Sequence, residues 1–292
     1  MKEEKYSIKD LENFTHIKAH TIRIWEQRYN LLAPKRTDSN IRYYDKEDLK
    51  KILNVNMLYS NGMKISKIAA LGEEEIIRKC KDILNKEENL ASAEVENYIL
   101  DITDFNHDKL RIKFKESFEE HGANKFYGSV IAPLLIRMGK LWQVNTLEIV
   151  HEHFLSSLLR EFLITKMHET KTKRNGTKVV CFLGDEEMHE FSMLFYLMIL
   201  TNKGYECIYL GQNLPLDELE LFKLKVNPDI YLTSFVGQIS EKNFVRQIER
   251  LRNITRNKKL VISGNEAIKH KDLIGDGIEL ITSEEDINRI FV

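Results

Sequence analysis

Trp142 is followed after nine residues by Glu152 and His153, and further along the chain comes Glu187-x-His189, in a glycine-punctuated stretch between an apolar run and a helical pattern. A neutral imidazole in a strand-to-helix turn can ligate a metal that arrives inside a large planar cofactor, and an upstream Trp can cover the opposite face of such a ring. Blander readings stand beside this one. His189 alone reads equally as a surface loop histidine, and His151-Glu152-His153 as a solvated helix segment. The histidines at 151 and 153 do not form a metal clamp, because residues two apart on a helix point to different faces. Nor is this the zinc-protease pattern, which needs histidines four apart with a Glu between them.

The elements that must position these residues change character along the chain. From Lys178 onward, short apolar runs at Lys178–Leu183, Glu206–Leu210, Ile230–Phe235, Lys259–Ser263 and Ile278–Thr282 alternate with helical stretches at 190–203, 216–226, 241–255, 265–273 and 284–291. That alternation predicts a five-stranded parallel sheet with helices on both faces, of the flavodoxin or Rossmann-like kind. Ligands of such sheets lie beyond the carboxyl ends of the strands, where Glu187 and His189 fall. Between about 73 and 171 no strand pattern occurs. Helical periodicity near 73–86, 90–103, 107–120, 123–142 and 146–168 predicts a helical bundle. Asn145 followed by Glu148 is a helix-start signal that puts Trp142 at the end of one helix and Glu152-His153 in the second turn of the next. The linker Thr170–Thr177 leads into the sheet.

The N-terminal segment has its own punctuation. Ser7 with Asp10 predicts a capped helix over 7–14, and a second helix over Ala19–Tyr29 places Ile22, Trp25 and Tyr29 on one face. An extended basic loop from Pro34 to Tyr44 follows, with Asn40 suited to the left-handed turn of a hairpin. Asp45 and Asp48 open a helix to about Ser60, Gly62 ends it, and a shorter helix at Ser66–Leu71 closes the segment. The expected division is 1–75, 76–172 and 173–292: a multidomain chain with an all-α winged helix-turn-helix head, a helical-bundle cap and an α/β parallel-sheet domain.

Composition bounds the function. The 292 residues are 42% apolar and 30% charged, as in an ordinary globular chain, and the net charge is -1. Divided by segment, residues 1–72 carry 14 Lys and Arg against 9 Asp and Glu, a balance of +5, which leaves -6 on the remainder. A basic head on an acidic body directs contact with phosphates to the head. MKEEKYSIKD lacks the apolar core of a signal peptide, and the longest apolar run, from Phe191 to Leu200, is too short for a bilayer, so a cytoplasmic protein without membrane contact is expected. Cys80, Cys181 and Cys207 are odd in number and form no CxxC pair, which predicts reduced core thiols. No constellation of nucleophile, base and oxyanion donors is visible, so no enzyme is expected.

In the head, Thr21, Arg23, Arg28, Tyr29, Lys35, Arg36, Arg42, Tyr43 and Tyr44 supply donors for phosphate and base-edge contacts from a helix and a wing. The run Thr21-Ile-Arg-Ile-Trp-Glu-Gln-Arg-Tyr29, followed by Pro34-x-Arg36 and Arg42-x-Tyr44, resembles the winged helix-turn-helix head of the MerR family of transcription regulators over roughly residues 5–72. The resemblance implies a double-stranded DNA operator, with the second helix in the major groove and the wing on the backbone. It also implies a homo-oligomer, a dimer or tetramer. Asn40 stands where the family usually has Gly, and Asn is the next most tolerant residue for that backbone angle.

The remaining chain, roughly 80–292, resembles the cobalamin-binding half of regulators in which a MerR head is fused to a helical cap and a Rossmann-like domain. Trp142-x9-Glu152-His153 matches the cap motif of light-dependent CarH/LitR-type repressors, and Glu187-x-His189 matches the Asp/Glu-x-His of base-off cobalamin proteins. The resemblance implies that His189 ligates cobalt, that Glu187 holds its other ring nitrogen, and that Trp142, Glu152 and His153 lie at the upper axial group. It also implies that Ser192, Ser234, Ser263 and Gly264 surround the nucleotide tail. Three positions depart from the pattern: Ser192 and Ser263 replace glycines, and Gln143 stands where light-sensing members carry His. The expected function is a cobalamin-responsive transcriptional regulator, a repressor, that takes adenosylcobalamin or methylcobalamin, with light sensitivity open. The rival expectation is a MerR-type regulator whose degenerate domain binds no cobalamin and acts through protein contacts.

Overall fold

The structure is a computed structural model that describes residues 5–15, 17–37, 40–88, 93–169 and 172–291. The wing tip at 38–39, the start of the helix expected at 90, the first two linker residues, 170–171, and the N-terminal residues 1–4 lie outside the described residues. The chain divides into two compact units, one formed by residues 1–110 and 128–155, the other by 111–127 and 156–292.

The first unit opens with α1 (Ile8–Thr15), α2 (Ala19–Tyr29), the strands β1 (Lys35–Arg36) and β2 (Arg42–Tyr43), α3 (Lys46–Ser60) and α4 (Ile65–Ile68). The capping signals act as expected. Ser7 and Asp10 exchange backbone-to-side-chain hydrogen bonds at the start of α1, and Asp45 with Asp48 forms a capping box on α3. β1 and β2 are an antiparallel pair, and Asn40 adopts the left-handed conformation, φ 61°. The core of this unit joins Ile22, Trp25, Leu49, Ile52 and Val55 of the head to Ile76, Cys80 and Leu84 of the next helix, α5 (Glu73–Glu88). Burial of Cys80 pushes its thiol up to about 12.

Next come α6 (Ala93–Thr103), α7 (His107–Lys125), a single π-helical stretch at Phe126–Ile131, α8 (Ala132–Gln143) and α9 (Ile149–His168). The break expected between the helical stretches 107–120 and 123–142 falls at Gly122, which leaves helical geometry at φ 72°; the second stretch runs through the π-helical segment into α8, where Pro133 sits in the first turn. Asn145 also differs from expectation. It lies at φ 55° and closes α8, with the N–H groups of Asn145 and Thr146 donating to the carbonyls of Trp142 and Leu141. α9 accordingly begins only at Ile149 and Glu152 falls in its first turn.

The second unit holds β3 (Lys178–Phe182), α10 (Phe191–Asn202), β4 (Glu206–Tyr209), α11 (Leu216–Val226), β5 (Ile230–Ser234), α12 (Glu241–Thr255), β6 (Lys259–Ser263), α13 (Asn265–Lys269), β7 (Ile278–Leu280) and α14 (Glu284–Ile290). All five strands expected here form one sheet in the order β4-β3-β5-β6-β7, each pair parallel. This is the doubly wound order in which the chain reverses direction between β3 and β5. Phe182 pairs with Thr233, so the loops that leave those two strands emerge side by side. Tyr231, Phe235, Leu260 and Ile262 pack with α11 and α12 on one face. β5 alternates, so Ser234 points to the other face.

Candidate cofactor site and nucleic-acid interface

At the reversal point the loop after β3 is fixed by its own backbone. Glu187 N–H donates to the Gly184 carbonyl, Glu186 N–H to the Asn213 side chain, and Leu216 N–H to Asp185. This holds Glu187, 7% exposed, against the loop after β5. Its Oε2 accepts the N–H groups of Val236 and Gly237, each at 2.7 Å. Its Oε1 lies 2.7 Å from Nδ1 of His189 and accepts that residue's own N–H at 2.9 Å.

Burial alone pushes the Glu187 carboxyl up, but the bonds from the His189 ring, the His189 N–H and the two loop N–H groups outweigh it and hold the group at about 2. The same bond raises His189 above its ordinary value against the opposing effect of its burial. The carboxylate therefore keeps the proton on Nδ1, and Nε2, which has no hydrogen-bond partner among the described residues, is the nitrogen available as a ligand. The imidazole side chain is 61% exposed. No group of three His, Cys, Asp or Glu side chains gathers among the described residues to hold a free ion.

The surroundings leave room beside this pair. A side chain at Gly237 would stand 3.3 Å from the imidazole. A cleft of about 360 Å³ beyond the strand ends is lined by Asp185, Glu187, Asn213, Gly237, Asn243 and Arg246. Gly264 has φ 100°, and a Cβ there would meet the Phe235 carbonyl oxygen at 2.2 Å, so only glycine lets β6 leave the sheet here. On the α10 face, Ser263 is fully buried and its hydroxyl donates to the Thr233 carbonyl at 3.5 Å, while the buried Ser234 hydroxyl has no partner among the described residues. The Ser192 hydroxyl is likewise buried without a partner among the described residues.

Trp142, Glu152 and His153 belong to the first unit, the other candidate cofactor residues to the second. Glu152 and His153 are exposed neighbours with His153 Nδ1 3.1 Å from Glu152. Trp142 is half-buried and packs on the core of the head. The backbone donors of Val236 and Gly237 were not among the residues singled out from sequence; the one signal for them is Gly237, placed directly after an apolar strand.

In the head, Arg23, Arg28 and Arg42 are exposed, Thr21, Tyr29 and Tyr43 are partly so, and all lie on α2 or the wing. Lys35 is paired with Asp45 at 2.8 Å, and Arg36 donates to Asn40 across the hairpin. Tyr44 corrects the expectation of a DNA contact: it is 0% exposed, and its hydroxyl donates to Glu26 of α2. Neighbours on a strand face opposite ways, so Tyr43 points outward while Tyr44 enters the core.

Residues 6–75 match the model of the MerR HTH family regulatory proteins. The chain thus carries a helix-turn-helix head of the kind found in MerR-type, DNA-binding transcription regulators, followed by helices and a doubly wound parallel-sheet domain. It is similar along nearly its whole length to the HTH-type transcriptional repressor CarH of Myxococcus xanthus, 26% identical with 99% of each chain covered. It is also similar to the repressor CarA of the same organism, 23% identical with 97% of this chain and 95% of CarA covered. A solved structure, the monomethylamine corrinoid protein of Methanosarcina barkeri, shares the fold at a TM-score of 0.53 and 13% identity, over 70% of this chain and 97% of that one. Among the described residues no helix is long and apolar enough to cross a membrane.

Proposed function

We propose that this regulator is a repressor whose affinity for a double-stranded operator is set by cobalamin held at Glu187 and His189. The observation that carries the reading is the buried carboxylate that fixes one imidazole nitrogen and leaves the other open at a sheet reversal point. The residues fit the group. A lone imidazole suits a metal that arrives already coordinated by a ring, Gly237 leaves space beside the Glu187–His189 bond, and the Ser234 hydroxyl is a buried polar atom without a partner among the described residues. His189 would hold cobalt and Glu187 would orient it. Trp142, Glu152, His153, Ser192, Ser263 and Gly264 are the further cofactor candidates. Bound cobalamin would supply a cobalt centre with an exchangeable upper group, adenosyl or methyl.

The corrinoid fold also occurs in methyl-carrier proteins, but the basic winged head has no part in such a role, and the chain acts as a regulator rather than an enzyme. Cytoplasmic location and assembly as a dimer or tetramer belong to the same reading. A change from about 1% to 99% of DNA-competent protein needs a differential affinity of about 5.5 kcal/mol, within reach of a ligand buried on one conformation only. The experiment is absorbance spectroscopy of protein mixed in the dark with adenosylcobalamin or methylcobalamin and gel-filtered. A retained histidine-ligated spectrum, lost in His189→Ala, is the expected result. A colourless protein would favour instead a domain that works through protein contacts.

A further inference from the structure

The elbow between α8 and α9 is joined to α3 of the head by side chains from both elements. Val144 is 0% exposed within the head core. Asn54 of α3 donates from Nδ2 to the Gln143 carbonyl at 3.2 Å, and Gln143 donates from Nε2 to Asn54 Oδ1 at 3.1 Å. Lys50, one turn earlier on α3, donates to Asn145 Oδ1. The ammonium groups of Lys46 and Lys50 stand 5.6 and 5.0 Å from the centre of the Trp142 ring.

This is not a solvated surface contact. Lys50 is 6% and Asn54 3% exposed, while Gln143 is half-buried and Asn145 exposed, so on the α3 side losing a partner strands a buried polar group. A buried ammonium satisfied by one amide and an aromatic face depends on both. The Trp142 N–H, by contrast, is buried without a partner among the described residues, a cost of about 1–3 kcal/mol that the indole would escape elsewhere. Trp142 is thus held by its ring face and its packing, with its N–H left over. α3 in turn carries the wing, because Asp45 at its start binds Lys35.

We propose that the Trp142–Asn145 elbow is the coupling element of this regulator, locking α8 to α3 through the Asn54–Gln143 amide pair so that a displacement of Trp142 is delivered to the wing. The effect of cobalamin on this junction rests on the proposed function; the junction itself does not. Gln143 has its use here as half of the amide pair.

Two measurements on the full-length protein test this. Without cobalamin, hydrogen exchange of the α3 amides is compared in Asn54→Ala, Gln143→Ala and the double variant. A shared bond predicts that each single change and the double accelerate exchange by the same factor, about tenfold; independent, multiplying effects, or none, overturn the lock. With adenosylcobalamin in the dark, the operator affinity of the unsubstituted protein should shift by about tenfold or more, and that of Gln143→Ala by less than about threefold, with its cobalamin spectrum unchanged. A full shift in Gln143→Ala overturns the coupling. A protein that never takes up cobalamin defeats the proposed function instead, and the exchange experiment still decides the lock.

Discussion

One oxygen of the Glu187 carboxylate lies 2.7 Å from the His189 ring nitrogen, while the other accepts two backbone N–H groups. The acid is therefore held from three sides before it orients the imidazole. Glu187→Ala should lower cobalamin affinity about 10–100-fold, the usual effect of losing a residue that orients a metal-bound histidine. Titration followed by absorbance checks this, and an unchanged affinity would detach Glu187 from the site.

The pair also sets a pH window. His189 must lose its proton to bind cobalt, and its pKa is raised by Glu187. In the free protein that proton stays on to a pH above the ordinary histidine value of about 6.5, so cobalamin affinity should fall steeply as pH drops through this raised value. In Glu187→Ala the midpoint should move down. For stability without ligand, the raised His189 contributes fully below about pH 6.5 and loses its contribution as pH rises through its folded value. Glu187, held at about 2, contributes above about pH 4.5 and loses its contribution as pH falls below it. Both act together between about pH 4.5 and 6.5, where Glu187→Ala should cost the most in urea unfolding.

Arg42 is exposed on β2 and makes no ion pair among the described residues. Arg42→Ala should weaken operator binding roughly equally for all sequences and lower the slope of log affinity against log salt by about one. Fluorescence anisotropy at several salt concentrations reads both.

Gly264 combines φ 100° with a Cβ position 2.2 Å from the Phe235 carbonyl oxygen. Gly264→Ala should cost about 3 kcal/mol or more, or yield insoluble protein, since neither strain nor clash can relax without moving β5. Chemical denaturation of the full chain gives the value; a loss under about 1 kcal/mol would mean that the loops rearrange freely.

Tyr44→Phe should destabilise the head by about 1–2 kcal/mol by removing the bond to Glu26, and weaken operator binding without changing its salt slope, because no phosphate contact is lost. A lowered slope would place the hydroxyl on DNA after all.

Much of this was legible in the residues because local rules agreed with the final fold. The apolar runs that end at Leu183, Phe235 and Ser263 alternate with helical periods, and no other arrangement buries both. Glu187-x-His189 stood out because its spacing carries a mechanism. What escaped were properties of packing and of the main chain. Val236 and Gly237 act through N–H groups that any residue but Pro possesses. Asn145 has the composition of a helix start yet ends α8, because Asn serves both purposes and only the left-handed angle separates them. Trp142 reads as a cofactor lid by its spacing, and its packing on α3 depends on residues about ninety positions earlier. Tyr44 was within reach of the sequence, since strand alternation from Tyr43 points it inward.

The hydroxyl that runs from Tyr44 to Glu26 makes a rigid caliper of α2 and the hairpin. The distance between α2 and the hairpin is then set inside the head, so a surface that both elements contact is met at one fixed spacing.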